Sequence, residues 1–447
     1  MRSIERQMSR TLQAFGVTAA LTLLLSAGPA RAQDPTSIPS PLTLDDAVTL
    51  ALQNNPAYLG ARESVASANA DVDLARSAYL PQVGAEAQYR RFETHLFFPS
   101  SLSKVVPSSV IGPEDDWLGA FTLSYDLYDG GARKGQLNAA KAGVTAAGSM
   151  SEARRADTVM RVHRAYFGLL SALENEEVAR KSVDRRKEHL RVAEKRKAAG
   201  AVPQLDVLRA RSALADAELA LISAKGDVEV ARGELSTAMG EPVEAEYQVE
   251  QAGAPQAAPP EDATPLLKRA TEQRSEVRAA EAGANAAADR VDIASSGKRP
   301  RAFVRGRYGV RDSVFLPEDP DWSLGVGVSY SIFDGGATAA RVRKNEAERR
   351  MSEQQLRETL DSVRQQVWEA WTRARESWES VEAAKAAETE ADAALRFARL
   401  RYEAGAGTIT DVIDAESAVA AASGRVVRTR YAYRTAMSAL ERATGKM

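Results

Sequence analysis

The feature that most constrains this chain is that it carries one plan twice. Residues Asp116 to Gly240 align without a gap on Asp321 to Gly445, each residue 205 positions after its counterpart. Asp116-Trp117 returns as Asp321-Trp322, Ser124-Tyr125 as Ser329-Tyr330, and Asp129-Gly130-Gly131-Ala132 as Asp334-Gly335-Gly336-Ala337. Farther along, Ala199-Gly200 returns as Ala404-Gly405, Asp206-Val207 as Asp411-Val412, and Gly240 as Gly445. Such self-similarity has to be recognised before domains are counted. Leu44 to Tyr79 and Pro265 to Ser296 also read as counterparts. The expected organisation is repeat one over about 43–240, a Pro/Ala/Glu-rich connector over 241–262, and repeat two over about 263–445. Each copy reads as helix, strand, loop, strand, long helix, helix, and the halves read as co-dependent.

The strands carry the membrane signal. From Trp322 to Ile332, Trp322, Leu324, Val326, Val328, Tyr330 and Ile332 alternate with Ser323, Gly325, Gly327, Ser329 and Ser331. One face is apolar and the other small and polar, a strict period of two. The first copy places Trp117, Phe121, Leu123, Tyr125 and Leu127 opposite Thr122, Ser124 and Asp126. Partner strands are expected over Val83 to Arg91 and Ala302 to Val310. A strand of about 9–11 residues suits a tilted bilayer crossing, and aromatics near its ends suit an interfacial girdle. Alternation alone also permits two hairpins packed on a soluble core. If the strands lie in lipid, four cannot close a barrel, and open edges are not tolerated there, so the chain must oligomerise. Three copies would supply twelve strands, although alternation does not select three over two or four.

The helices imply a rod. Val207, Ala210, Leu214, Ala217, Leu221, Ala224, Val228, Ala231, Leu235 and Ala238 keep a 3-4 spacing. The second copy repeats it as Val412, Ala415, Val419, Ala422, Val426, Thr429, Tyr433, Ala436, Leu440 and Ala443. This is a coiled-coil seam whose alanines permit close approach. Ala132 to Ala199 and Ala337 to Ala404 lack proline and could each extend about 100 Å at 1.5 Å per residue. Leu44 to Tyr79 and Gln204 to Gly240 are each roughly half as long, so two stacked end to end would match one long helix in a cylinder wall.

Export fixes the solvent these segments face. Arg2, Arg6 and Arg10 precede an apolar run from Ala14 to Leu25, and Ala30-Arg31-Ala32 offers small residues for cleavage. That predicts a signal peptide over 1–32, since the run is shorter than the roughly 20 residues of a membrane-spanning helix. No cysteine is present, which removes disulfides, thiolate metal sites and a lipid-bearing first cysteine. Nothing in the near-neutral formal charge of −2 points to nucleic acid.

Local chemistry marks the joints and tips. Asp129 and Asp334 stand where a carboxylate can accept from the first free N–H groups of a helix, and Gly130-Gly131 and Gly335-Gly336 relax the strand-to-helix turn. The lysine pattern of a phosphate-binding loop is absent. Gly200 and Gly405 end the long helices, and Pro203 or Thr408 starts the return helix. His95, His163 and His189 lack metal-like spacing, no nucleophile motif appears, and no cofactor is implied.

Taken in order, these motifs resemble the TolC-like outer-membrane efflux proteins. The duplicated plan, the Asp-Gly-Gly joints, the Asn55-Pro56 helix opening, and Tyr402-x-x-Gly405 followed by Thr408-Ile409-Thr410-Asp411-Val412-Ile413-Asp414-Ala415 carry the resemblance over essentially the whole mature chain. It implies a mainly α fold with a membrane β part: a coiled-coil α-helical barrel continuous with a transmembrane β-barrel, four strands per chain and twelve in a trimer. It further implies location in the outer-membrane lipid, with a periplasmic extension. The partners it implies are a periplasmic adaptor and an inner-membrane transporter, for efflux or type I secretion.

The same resemblance places a periplasmic gate at the tips, with Asp411, Asp414 and Asp206 as narrowing carboxylates and Tyr402 as a constricting aromatic. Capping explains Asp411 equally well, because Thr408-Ile409-Thr410-Asp411 reads as a capping box. Two departures stand out. Gly407 replaces an arginine that some members use in the closing network, and Arg209 occupies the first-copy position of Asp414. Lys197 likewise replaces Tyr402, so the gate is expected mainly on the second copy, with a resting closure weaker or differently wired. The rival reading is a secreted or periplasmic coiled-coil scaffold without a pore, which leaves the two recurrent strand pairs unexplained.

Overall fold

The computed structural model describes residues 38–95, 110–251, 253 and 257–447. The expected signal peptide and the tip of the first hairpin loop lie outside these residues. Pro41–Met447 form one compact unit.

Helix α1 (Leu44–Asn54) opens on a capping box in which Thr43 and Asp46 satisfy each other's backbone N–H groups. Helix α2 (Pro56–Ser77) follows after a break at Asn55, which is extended at φ −70° and ψ 117°. One continuous helix from Leu44 to Tyr79 was the expectation. Pro56 prevents it, because its ring disfavours helical backbone at the preceding residue and it lacks an N–H. Buried Asn55 caps α2 through Ala57 N and donates to the Ala238 carbonyl at 3.0 Å, so the break is also a docking point.

The second copy breaks in the same place without a proline. Helices α5 (Thr264–Gln273) and α6 (Ser275–Ser296) meet at Arg274, whose guanidinium is held by Glu276 and Gln366.

Strands β1 (Gln82–His95), β2 (Val110–Tyr128), β3 (Arg301–Asp312) and β4 (Pro320–Ser329) form one antiparallel sheet in sequence order. The register aligns like with like. Phe121 stands opposite both Ala85 and Tyr308, and Tyr308 stands opposite Trp322. These share a face with Leu123, Val304, Leu324, Val326 and Val328, and Leu324, Val326 and Val328 are 68–73% exposed. Such a contiguous exposed apolar surface needs lipid or protein against it.

The opposite face carries charge in pairs. Asp116 accepts from Arg90 and from both donor arms of Arg311, Asp126 faces Arg305 at 3.2 Å, and Arg307 lies 3.8 Å from Asp321. Strand β4 is shorter than its alternation suggests. Its last partner is Arg301 at the start of β3, so the chain beyond Ser329 finds no ladder, and Ile332 and Phe333 are left 90% and 87% exposed.

Helices α3 (Ala132–Ala198) and α7 (Ala337–Glu403) each have 67 residues, about 100 Å at the usual rise. Their return helices are α4 (Gln204–Met239) and α8 (Ile409–Ala443). Every position of both heptad seams is buried or half-buried. Coil 1 (α3/α4) touches coil 2 (α7/α8) chiefly through α3 against α8, while α2 packs on α3, and α6 lies against α3 and α7.

The connector is tied down by aromatic donors. Leu42 bridges to Val249, the Tyr166 hydroxyl reaches the Leu42 and Glu250 carbonyls, and Trp371 Nε1 donates to the Pro260 carbonyl at 2.8 Å.

Candidate functional site

Two regions hold the residues singled out in the sequence, the joints between sheet and helix and the tips at the far end of the coils. At the first joint, Asp129 Oδ1 accepts from Gly131 N at 3.0 Å and Oδ2 from Arg133 N at 2.6 Å. At the second, Asp334 accepts from Gly336 N and Thr338 N at 3.0 and 2.7 Å. The four joint glycines all adopt positive φ, between 66° and 96°, a region that costs a residue with a Cβ roughly 1–2 kcal/mol.

At the tips, Gly200 and Gly405 have φ near 71° and 73°, and each closes a helix with paired backbone bonds. Ala201 N reaches the Arg196 carbonyl and Ala406 N the Arg401 carbonyl, at 2.9 and 2.8 Å. Thr408 and Asp411 form the capping box of α8. The Thr408 amide, then its hydroxyl, hold the exposed Asp411 carboxyl below the usual carboxylate range. Asp414 is exposed one turn farther on, and Asp206 is half-buried in the first turn of α4.

Tyr402 is buried inside the second hairpin with Leu395, Ile409, Val412 and Val419. The Arg196 guanidinium covers its ring at 4.7 Å. Arg196 also donates to the Tyr402 and Glu403 carbonyls, and Arg209 donates to Thr410 Oγ1 at 3.0 Å, so coil 1 grips the turn of coil 2 with arginines. Gly407 sits in a tight place. A Cβ there would sit 3.1 Å from Arg401 Cβ and 3.2 Å from Tyr402 N.

Behind the tip lies a cluster that the sequence analysis passed over. Glu416 of α8 is 1% exposed. His189 Nε2 lies 2.6 Å and Arg399 Nη2 2.9 Å from its Oε1, and Arg186 Nε lies 3.4 Å from Oε2. Arg186 also donates to the Ile413 carbonyl and to Ser417 Oγ, at 3.2 and 2.8 Å. Burial alone would push the Glu416 carboxyl up; the hydrogen bonds from His189 and Arg399 and the charge of Arg186 outweigh it and hold the group below its ordinary value. Glu416 therefore stays ionised while buried, and removing a partner would strand its charge. Its signal in the sequence was faint, an acid beside the heptad seam where the first copy has Arg211.

A second, half-buried cluster sits at the other end of α8. Glu276 accepts from Arg274 and Arg442, and Arg442 also holds Asp157 at 2.7 Å. Burial opposes ionisation of Glu276, but the two guanidiniums lower its pKa to about 2.

The chain has relatives in both sequence and structure. The profile of the family described as outer membrane efflux protein matches residues 47–241 and 266–446. Protein CyaE of Bordetella pertussis is 29% identical over 430 residues, spanning 91% of this chain and 84% of that protein. Outer membrane protein TolC of Vibrio cholerae is 25% identical over 409 residues, spanning 89% of each. The crystal structure of the Campylobacter jejuni CmeC outer membrane channel superposes with a TM-score of 0.77 at 21% identity, covering 90% of this chain and 85% of that one. That likeness bears on the fold, a helical barrel joined to a β-barrel. With both of its repeats matched by one profile, the chain belongs to the outer membrane efflux protein family, resident in the outer membrane with a periplasmic helical extension.

Proposed function

We propose that this efflux protein works as the homotrimeric exit duct of a tripartite efflux or type I secretion assembly. In this reading a periplasmic adaptor and an inner-membrane transporter deliver the substrate, and the duct conducts it passively through the outer membrane. The observation that carries the proposal is the sheet. It has one apolar and one charged face, and among the described residues β1 and β4 are each paired on one side only. Three such sheets joined edge to edge close twelve strands, leaving no edge in lipid. The apolar face then meets lipid, and the face with Asp126, Arg305 and Arg307 lines the pore.

The first Asp-Gly-Gly joint carries β2 directly, and the second carries the chain that follows β4, into a helix about 100 Å long, so the pore continues into the periplasm. At its far end the tip residues Asp411, Asp414, Asp206 and Tyr402 form the entrance gate. Threefold repetition of the carboxylates focuses a negative potential there and attracts divalent cations.

Two measurements test this. Outer-membrane fractions extracted in detergent should yield a heat-sensitive trimer, and recovery as a detergent-free soluble oligomer would remove the duct. In planar bilayers the wild-type pore should be blocked by divalent cations from the periplasmic side. If the Asp411→Ala, Asp414→Ala double variant were blocked as strongly as wild type, the narrowing ring would lie elsewhere.

A further inference from the structure

A cavity of about 350 Å³ lies between the two long helices of the chain. Helix α3 lines it with Arg185, Val192 and Arg196, which share a helix face, α7 with Arg399 and Tyr402, and α8 with Val412. Arg185 stands eleven residues before Arg196, about 16 Å along the helix, and Arg196 covers the Tyr402 ring. The cavity is therefore graded. Arg185 marks one end, Tyr402 the other, and the side chains of Val192 and Val412 supply an apolar wall. Cavities of roughly 300–1,000 Å³ with an apolar lining and a few placed polar groups are the usual form of a small-ligand site.

Three donors on this cavity are buried without a hydrogen-bond partner, namely Arg185 Nε, Arg399 Nε and the Tyr402 hydroxyl. Tyr402 itself is only 7% exposed. Buried donors are normally paired, so several orphans around one space call for an acceptor that enters it. Arg185 is the clearest case. It is half-buried, and it makes neither a hydrogen bond nor an ion pair with any of the described residues. Its neighbour Arg186, by contrast, is spent on Glu416, Ile413 and Ser417. The acids of the lining do not answer Arg185, because Glu188 is paired with Arg191 and Glu403 is exposed. Glu416 is already taken by His189, Arg399 and Arg186. The charge left over is positive.

The duplicated positions lack this set. Arg185 has Glu390 as its counterpart, Arg399 has Glu194, and Tyr402 has Lys197. The arrangement therefore occurs once per chain.

We propose that the cavity binds a small carboxylate carried on an apolar body. The carboxylate accepts from the Arg185 guanidinium, with Arg399 Nε as a second donor, and the body lies against Val192 and Val412 and extends toward the Tyr402 hydroxyl. Arginine suits this task, since its planar fork pairs with a carboxylate through two parallel bonds. All the lining residues belong to one chain, so binding requires neither a second copy nor any movement of the tips.

The probe is 4-(trifluoromethyl)benzoate, followed by its fluorine resonance as the detergent-extracted full chain is added, with the neutral 4-(trifluoromethyl)benzamide as its match. The benzoate should bind saturably, one molecule per chain, and the amide about tenfold more weakly, as loss of a charge-assisted contact implies. Arg185→Gln should weaken the benzoate by about the same factor and leave the amide unchanged. Arg185→Lys, which keeps the charge without the fork, should recover part of the loss. Since Arg185 has no partner in the chain, neither variant strands a charge, and melting curves like those of the wild type would show the fold intact. Equal binding of benzoate and amide, uptake of benzoate without saturation, or undiminished benzoate binding by Arg185→Gln would each overturn the proposal.

Discussion

The Arg196 guanidinium lies 4.7 Å over the ring of Tyr402 and donates to the carbonyl oxygen of the same residue at 3.2 Å. One arginine of coil 1 thus holds both the side chain and the backbone of the last helical turn of coil 2. Arg196→Ala should loosen the resting tip. A cation–π contact of about 0.5–1 kcal/mol corresponds to about a two- to fivefold rise in the open fraction per protomer. Arg196→Lys keeps the cation but loses the fork that reaches the Tyr402 and Glu403 carbonyls, so it should fall between. Bilayer recordings without added adaptor decide this, and an unchanged open fraction for Arg196→Ala would remove the contact from the gate.

The Glu276 cluster predicts an acid limit on stability. Its carboxyl is lowered from 4.5 to about 2 in the folded chain. A depressed pKa contributes stability that is fully present above the unfolded value and disappears as pH falls through the folded one. The heat stability of the detergent-extracted protein should therefore decline between about pH 4.5 and pH 2. Arg442→Met removes one of the two guanidiniums, which raises the folded pKa, so it should shift the lower end of that decline upward in pH and make the decline smaller. Melting curves followed by circular dichroism at stepped pH would show the shift, and coincident curves for the two proteins would refute the assignment.

Adjacent positions in β4 should respond in opposite ways. Leu324 lies on the apolar face and Gly325 on the charged face, opposite Arg305. Leu324→Arg should cost about 2–4 kcal/mol if the site is near mid-bilayer and reduce the yield of outer-membrane trimer. Gly325→Glu meets open space and a guanidinium partner, so assembly should survive. Equal yields would mean that the faces have been assigned the wrong way round.

The joints are unequal despite their identical sequence. An added Cβ at Gly130 would meet the Ser296 carbonyl oxygen at 2.7 Å, whereas at Gly335 it meets nothing within 4 Å. Both have positive φ, so alanine at either should cost about 1–2 kcal/mol. Gly130→Ala should cost more by the clash. Denaturant midpoints would rank the two variants, and the reverse order would contradict the packing described for Gly130.

Periodicity made much of this protein legible before any fold was known. Parity along Trp322 to Val328 determines which side chains share a face, because a strand has no other choice. The 3-4 spacing from Val207 to Ala238 does the same for the coil seam. The offset of 205 then sets the second copy on the plan of the first. These are local regularities, enforced by backbone geometry on neighbouring residues, and a linear text records them completely. The helix break at Arg274 escaped the same treatment, since no proline marks it and the groups that hold the arginine include Gln366, far along the chain.

The charge cluster is of another kind. Glu416 gathers partners from two other helices, Arg399 lying 17 residues away and His189 more than two hundred. Nothing in the periodicity of α8 distinguishes a buried, paired glutamate from one on a solvated face. Tyr402 is similar: the sequence could mark it as an aromatic at the tip, but only packing placed it inside the hairpin beneath Arg196. Sequence alone therefore determined the duplicated architecture and its membrane-type strands, through rules that act between near neighbours. Which charges are buried, and which seam they fasten, was decided only when coil 1 met coil 2, because burial and ion pairing depend on distances that exist only after the helices have packed.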